Sequence, residues 1–181
     1  SEPHLDGCGF FTTDQIWFCS ARRGYEGMQW FSASNENGMW SEPRFVDFDP
    51  SDEVGELHFS EDGNWLYFHS ERPGGEGGLD IWLMKKEADI WREPENLTGV
   101  NSPSDEGWPA LNPQQDELWI SKDYGIWRSK KIDGEWQTPE LIVSSLAGEA
   151  SIDQVGNVYF THHFFVDGRM LEADIYMIKR K

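Results

Sequence analysis

The chain has 181 residues, a formal net charge of −18 at pH 7 and a pI near 4.5. The length suits one domain with a sizeable core, and the charge excludes nucleic acid and anionic membrane surfaces as partners held by bulk electrostatics. With 18 glycines and 9 prolines, few segments sustain a helix, and no apolar run reaches the 18 residues of a membrane span.

Near the start, Cys8 precedes the apolar run IWFCS (16–20), which holds Cys19. A two-residue turn at Thr13-Asp14 pairs 12 with 15, 11 with 16, and so on to 8 with 19, placing Cys8 opposite Cys19. A cross-strand disulfide and a pair of buried thiols are the two readings. A zinc or redox role needs more Cys or His at matching spacing. The run then returns as LYFHS (66–70), LWISK (118–122) and VYFTH (158–162). A second series comprises MQWF (28–31), LDIW (79–82), YGIW (124–127) and ADIY (173–176). A third is Trp-x-x-Pro, as WSEP (40–43), WREP (91–94) and WQTP (136–139).

Alternating apolar and polar residues, aromatic enrichment and short Gly/Asp/Pro turns make every run a strand. In the second unit, strand a lies near LHF (57–59), and the turn Glu61-Asp62-Gly63-Asn64 leads to strand b, WLYFH (65–69). The glycine-rich SERPGGEGGLDIW (70–82) leads to strand c, and a turn near Asp89 leads to strand d around PENLTG (94–99). Four strands repeating at this interval are the pattern of a propeller blade.

The motif E-x-x-x-L-x-x-S-x-D-G-x-x-L-Y-F-x-S-x-R-P-G-G-x-G-G-x-D-I-W, followed by W-x-E-P-x-N-L, resembles the WD40-like (PD40) repeats of TolB-type β-propellers. The second unit matches almost throughout, and the others match in part. The resemblance implies an all-β fold: a β-propeller of four four-stranded antiparallel blades in one domain, residues 1–181, with units at about 7–48, 53–100, 106–143 and 148–181. It also implies a periplasmic or extracellular setting. It is specific for fold and poorly specific for function.

The fourth unit stops after strand c. In one reading residues 1–6 supply its missing strand, because Ser1-Glu2-Pro3 repeats Ser41-Glu42-Pro43, and the propeller is closed by the N-terminal strand. In the other, Glu2 aligns with Glu53 and Glu106 at the start of strand a. The chain is then part of a larger propeller, or self-associates to complete the blade.

A phosphate loop needs Lys-Ser/Thr and a helix after its glycines; here a strand follows 70–82. The glycines are expected to supply positive-φ positions. Arg72 is expected to pair with a loop carbonyl or Asp80, and Asp80 to accept backbone N–H bonds. A propeller gathers its d-to-a and b-to-c loops around the central channel. That face would carry Asp52, Glu53, Asp105 and Glu106, whose alternatives are a ring for Ca²⁺ or another divalent cation and capping of backbone N–H groups. No cofactor is certain. The fourth b-to-c loop, THHFFVDGRMLEAD (161–174), departs most from the repeat and brings His162, His163, Phe164 and Arg169. Adjacent histidines on a strand face opposite ways, which disfavours a shared ion. His58 and His69 read as packing residues.

There is no G-x-S-x-G elbow and no Cys/His nucleophile motif. The leading expectation is therefore a non-catalytic binding module taking a protein, peptide or saccharide. Its ligand residues would be Tyr25, Arg72, Trp108, His162, His163, Phe164 and Arg169. The alternative is a metal-assisted lyase or hydrolase acting on an oligosaccharide or small polar substrate at the channel mouth.

Overall fold

The computed structural model describes residues 5–12, 14–22, 24, 29–49 and 52–180. They form antiparallel strands and no helix. The chain divides into two compact units, Ser1–Ser51 and Asp52–Lys181, a boundary that falls between the first and second repeats.

The first unit is one sheet of β1 (Leu5–Phe11), β2 (Gln15–Ala21), β3 (Gln29–Glu36), β4 (Met39–Trp40) and β5 (Arg44–Phe45). Phe31 packs against Phe18 and Phe45, with ring centroids 6.2 and 6.0 Å apart. Phe11 pairs with Ile16 and Phe10 with Trp17, as the two-residue turn requires, but beyond a bulge Gly7, not Cys8, faces Cys19. No disulfide joins the cysteines; Cys8 is exposed and Cys19 buried. The extra residue of the bulge shifts every later pair by one.

Leu5 and Asp6 pair with Ala21 and Ser20, so they begin strand a of the first sheet. They are not a closing strand for the fourth sheet, and Ser1 to His4 lie outside the described residues. Glu2, which the other alignment set beside Glu53 and Glu106, lies outside the described residues.

The second unit holds three sheets. The second sheet comprises β6 (Gly55–Phe59), β7 (Trp65–Ser70), β8 (Asp80–Glu87), β9 (Ile90–Trp91) and β10 (Glu95–Asn96). The third comprises β11 (Glu106–Leu111), β12 (Glu117–Lys122), β13 (Gly125–Ile132), β14 (Glu135–Trp136) and β15 (Glu140–Val143). The fourth has three strands among the described residues, β16 (Ala147–Ile152), β17 (Val158–Val166) and β18 (Arg169–Ile178), where four were expected. The Trp of each Trp-x-x-Pro sits on a two-residue strand that folds back on strand c, as Trp40 on Asn35, Trp91 on Lys86 and Trp136 on Lys131. The prolines that follow cannot donate to that ladder, and the chain crosses to strand d.

Apolar layers hold the sheets of this unit together. Tyr67, Ile81, Val100, Leu111, Leu118 and Ile120 form the seam between the second and third sheets. Trp119, Ile126, Ala147, Ala150, Val158 and Phe160 form the seam between the third and fourth. Polar bonds cross the first seam as well. Leu111 N–H donates to His58 Nε2 and Trp108 N–H to His69 Nδ1, both at 3.2 Å. Burial pushes both imidazoles down to about 4, so they stay neutral and accept.

Candidate functional site

The glycine-rich loop is scaffold, built by close approach more than by unusual φ. Within 73–79 a positive φ occurs at Gly74 alone, among the glycines. A Cβ on Gly77 would lie 2.1 Å from the Ser104 carbonyl oxygen, so the loop needs glycine to reach the segment before β11. Asp80 accepts the amides of Glu76 and Gly77, as expected. Arg72 is 8% exposed. It donates to Ser70 Oγ and to the Glu53 carbonyl at 2.9 Å, and lies over the Phe68 and Trp82 rings. These bonds hold it inside the fold, so it is corrected from a ligand-binding to a structural residue. Arg22 repeats the arrangement over Phe18 and Phe31 with Ser20.

The four carboxylates expected to hold a cation do not come together for one. Glu106 is fully buried and accepts from Lys122 Nζ (2.9 Å), Ser102 Oγ (2.6 Å) and Ser102 N–H (3.1 Å). Its charge is already neutralised and its oxygens occupied. Asp105 Oδ1 accepts the Leu79 amide and Asp52 Oδ1 that of Glu53, while Glu53 is exposed. Among the described residues no group of three or more His, Cys, Asp or Glu is placed to hold a metal ion. The donor set among the described residues does not fit a divalent cation.

The fourth connection is a hairpin and not an open loop. β17 runs on through Val166, Asp167 and Gly168 turn with φ of 49° and 74°, and β18 starts at Arg169. Asp-Gly between apolar residues is the strongest short signal for such a turn, and FFVDGRML carries it. Along β17 the side chains alternate. His163 and Phe165 line a cleft, whereas His162 packs against Phe164 and Tyr176 at 4.7 and 5.7 Å. His162, Phe164 and the exposed Arg169 are therefore not part of the cleft lining. Tyr25 lies outside the described residues.

The cleft belongs wholly to the second unit and encloses about 630 Å³. Three carboxylates line it, Asp105, Asp123 and Glu149, with the aromatic rings of Trp108, Tyr124 and Phe165. Two local structures aim these groups. The first is a bulge that recurs in strand a of every sheet, where Gly-x places the second residue at positive φ: Cys8 (54°), Glu56 (38°), Trp108 (52°) and Glu149 (58°). In the second and third sheets the glycine is crowded by one histidine of β7: a Cβ on Gly55 would sit 2.4 Å from His69 Nε2, and one on Gly107 3.0 Å from His69 Nδ1. The second is the two-residue turn Asp123-Tyr124 between β12 and β13.

Of the expected ligand residues, Trp108 and His163 line this cleft, and Asp105 joins them from the expected cation set. Asp123, Tyr124 and Glu149 were missed. Glu149 was visible as the residue after glycine in G-E, G-W and G-E at 55–56, 107–108 and 148–149, once strand a is aligned on itself. Thr161 Oγ1 donates to Glu149 Oε2 at 3.3 Å, and the Glu149 amide donates to Ser121 Oγ at 2.8 Å. Ser104 Oγ donates to Asp123 Oδ2 at 3.5 Å.

Solved structures share this arrangement of sheets. An endo-arabinase from Bacteroides thetaiotaomicron VPI-5482 matches over 96% of this chain and 74% of its own, with TM-score 0.60 and 14% identity. The Bacteroides ovatus xyloglucan PUL protein GH43B matches over 93% of this chain and 38% of its own, with TM-score 0.52 and 15% identity. A structure from a study of two prolyl endopeptidases matches over 96% and 28%, with TM-score 0.50 and 10% identity. The fold is a β-propeller's. The chain spans well under half the length of the latter two proteins. No protein-family model and no curated protein matches the chain.

These likenesses correct the expectation of a non-catalytic binding module. That expectation rested on the absent nucleophile motifs, yet the fold is shared with a protein described as an endo-arabinase. A cleft that presents several carboxylates has no need of a serine or cysteine nucleophile. The enzyme alternative is the better-backed of the two.

Proposed function

We propose that the chain forms the substrate cleft of a glycoside hydrolase acting on an oligosaccharide. The observation that carries the reading is the convergence of Asp105, Asp123 and Glu149 with Trp108 and Tyr124 on one open cavity of about 630 Å³. Glycosidic cleavage needs two carboxyl groups flanking the scissile bond. One protonates the departing oxygen, and the other activates water or attacks the anomeric carbon. Aromatic rings beside them suit the C–H faces of sugar rings. The descriptions of the arabinase and the xyloglucan protein support the same substrate class.

In this reading Asp123 and Glu149 are the acid/base pair. They stand on β12–β13 and on β16, on two sheets that face one cleft. Thr161 orients the Glu149 carboxylate, and Asp105, fixed by the Leu79 amide, is the third negative group beside the developing positive charge of the sugar. The repeat motif supports a TolB-like relative in fold, and the periplasmic or secreted setting it implies suits a saccharide substrate.

The test is incubation with arabino-oligosaccharides and xyloglucan oligosaccharides, with products separated by chromatography. Wild type is expected to release shorter saccharides, and Asp123→Asn and Glu149→Gln to lower the rate by about 100-fold or more each. Absence of release by wild type, or full activity in both variants, refutes the reading.

A further inference from the structure

The turn between β12 and β13 lacks the glycine that three two-residue turns of this protein carry, as does Ala88-Asp89 between β8 and β9, at φ of 50° and 62°. Asn37-Gly38, Asp133-Gly134 and Asp167-Gly168 all place glycine second, with both residues at positive φ. That is the chemistry a two-residue hairpin demands. At the equivalent place Asp123 and Tyr124 adopt φ of 48° and 56°. A tyrosine held in the left-handed region is strained, and this one contributes nothing to the core, because it is 80% exposed. The turn is nonetheless fixed in position, since the Ala147 amide donates to the Tyr124 carbonyl at 3.0 Å. Strain kept at an exposed position points to a use for the side chain.

Trp108 lines the same cleft and shares the feature, with φ of 52° and 37% exposure. His69 holds it from behind. The Trp108 amide donates to His69 Nδ1, and the two rings meet at 5.1 Å and 77°. Two aromatic rings thus face one cavity on backbone that neither would adopt unaided.

The charges select among ligands. Asp105, Asp123 and Glu149 are all carboxylates; His163 also lines the cleft, and among the described residues Lys122 is the one lysine or arginine in the lining. Its ammonium is taken by Glu106 and Ser102 and lies over the Trp127 ring. An anionic sugar would meet three carboxylates, with the Lys122 ammonium already paired.

We propose that Tyr124 and Trp108 form a stacking platform for a neutral sugar ring, so that the cleft takes neutral oligosaccharides and rejects uronates. The proposal rests on the saccharide reading of the cleft. It is tested by calorimetric titration of the full chain with arabinohexaose, a xyloglucan heptasaccharide and hexagalacturonate, at low temperature and short times. Wild type is expected to bind a neutral probe, and hexagalacturonate at least tenfold more weakly. Tyr124→Gly restores an Asp-Gly turn. It is expected to raise the melting temperature by about 2–4 °C while weakening neutral-sugar binding about tenfold. Tyr124→Phe should bind as wild type does. Neutral-probe binding unchanged in Tyr124→Gly, or hexagalacturonate bound as tightly as the neutral probes, overturns the platform and leaves the saccharide cleft standing. Binding of none of the three probes by wild type overturns both.

Discussion

Acidification below pH 6.5 should loosen the seam between the second and third sheets, through two histidines. His58 and His69 stand on β6 and β7, and each accepts a backbone N–H from β11 through an unprotonated ring nitrogen. Burial lowers both from 6.5 to about 4. Protonation would turn each acceptor into a donor facing another donor, and would place a charge in a poorly solvated seam. The folded-state values lie below the unfolded ones, so the unfolded chain binds more protons between them. The stability is therefore fully present above pH 6.5, falls as pH drops through that value, and levels off below about pH 4. Between pH 7.5 and pH 5 each histidine removes about 2 kcal/mol, and the pair about 4 kcal/mol. A few kcal/mol is a large share of the stability of a typical domain. Urea unfolding followed by tryptophan fluorescence at several values between pH 7.5 and 5 measures it. A double variant, His58→Phe with His69→Phe, loses two acceptors and is expected to be about 2 kcal/mol weaker at pH 7.5. Its stability should vary little down to pH 5. A wild-type stability that is flat over this range refutes the reasoning. So does an undiminished acid loss in the double variant.

The buried Glu106–Lys122 pair gives a second expectation. Lys122 is 13% exposed on its side chain and Glu106 0%. Lys122→Met leaves an uncompensated carboxylate inside and should destabilise by about 3–5 kcal/mol in the same urea assay, whereas Lys122→Met combined with Glu106→Leu should recover most of that loss. The cysteines give a third. Cys8 is exposed and Cys19 buried, with no disulfide between them. One thiol should react with a thiol reagent in the native protein and two after denaturation, with no change on prior reduction.

The scaffold was largely legible. Short apolar runs with alternation, separated by Gly/Asp/Pro turns, announced strands. Their recurrence announced blades, because a sheet that cannot bury its faces alone must stack on a copy. Arg72 and Asp80 were readable as loop-holding residues from the same repetition. The candidate site was legible in fewer places. Trp108 and Asp105 stood out in the d-to-a segment, and His163 in the irregular fourth unit. Glu149 hides in an ordinary Ala-Gly-Glu-Ala, and Asp123-Tyr124 looks like a shortened loop. Their importance depends on left-handed backbone that no residue type there advertises. Arg169 and Phe164 depart from the repeat for a structural reason: the Asp167-Gly168 turn makes a longer hairpin there.

By itself the sequence determined the all-β class, the four repeats, the strand order within each and the scaffold role of the glycine-rich loop. Each of these follows from local periodicity and turn chemistry, which act over a few residues. Tertiary structure alone decided which residue of each bulge reaches the cleft, that Gly7 and not Cys8 meets Cys19, and that Glu106 is neutralised by Lys122. One inserted residue changes the register of a whole strand, and a carboxylate 16 residues from a lysine is paired or left for chemistry according to how two strands dock.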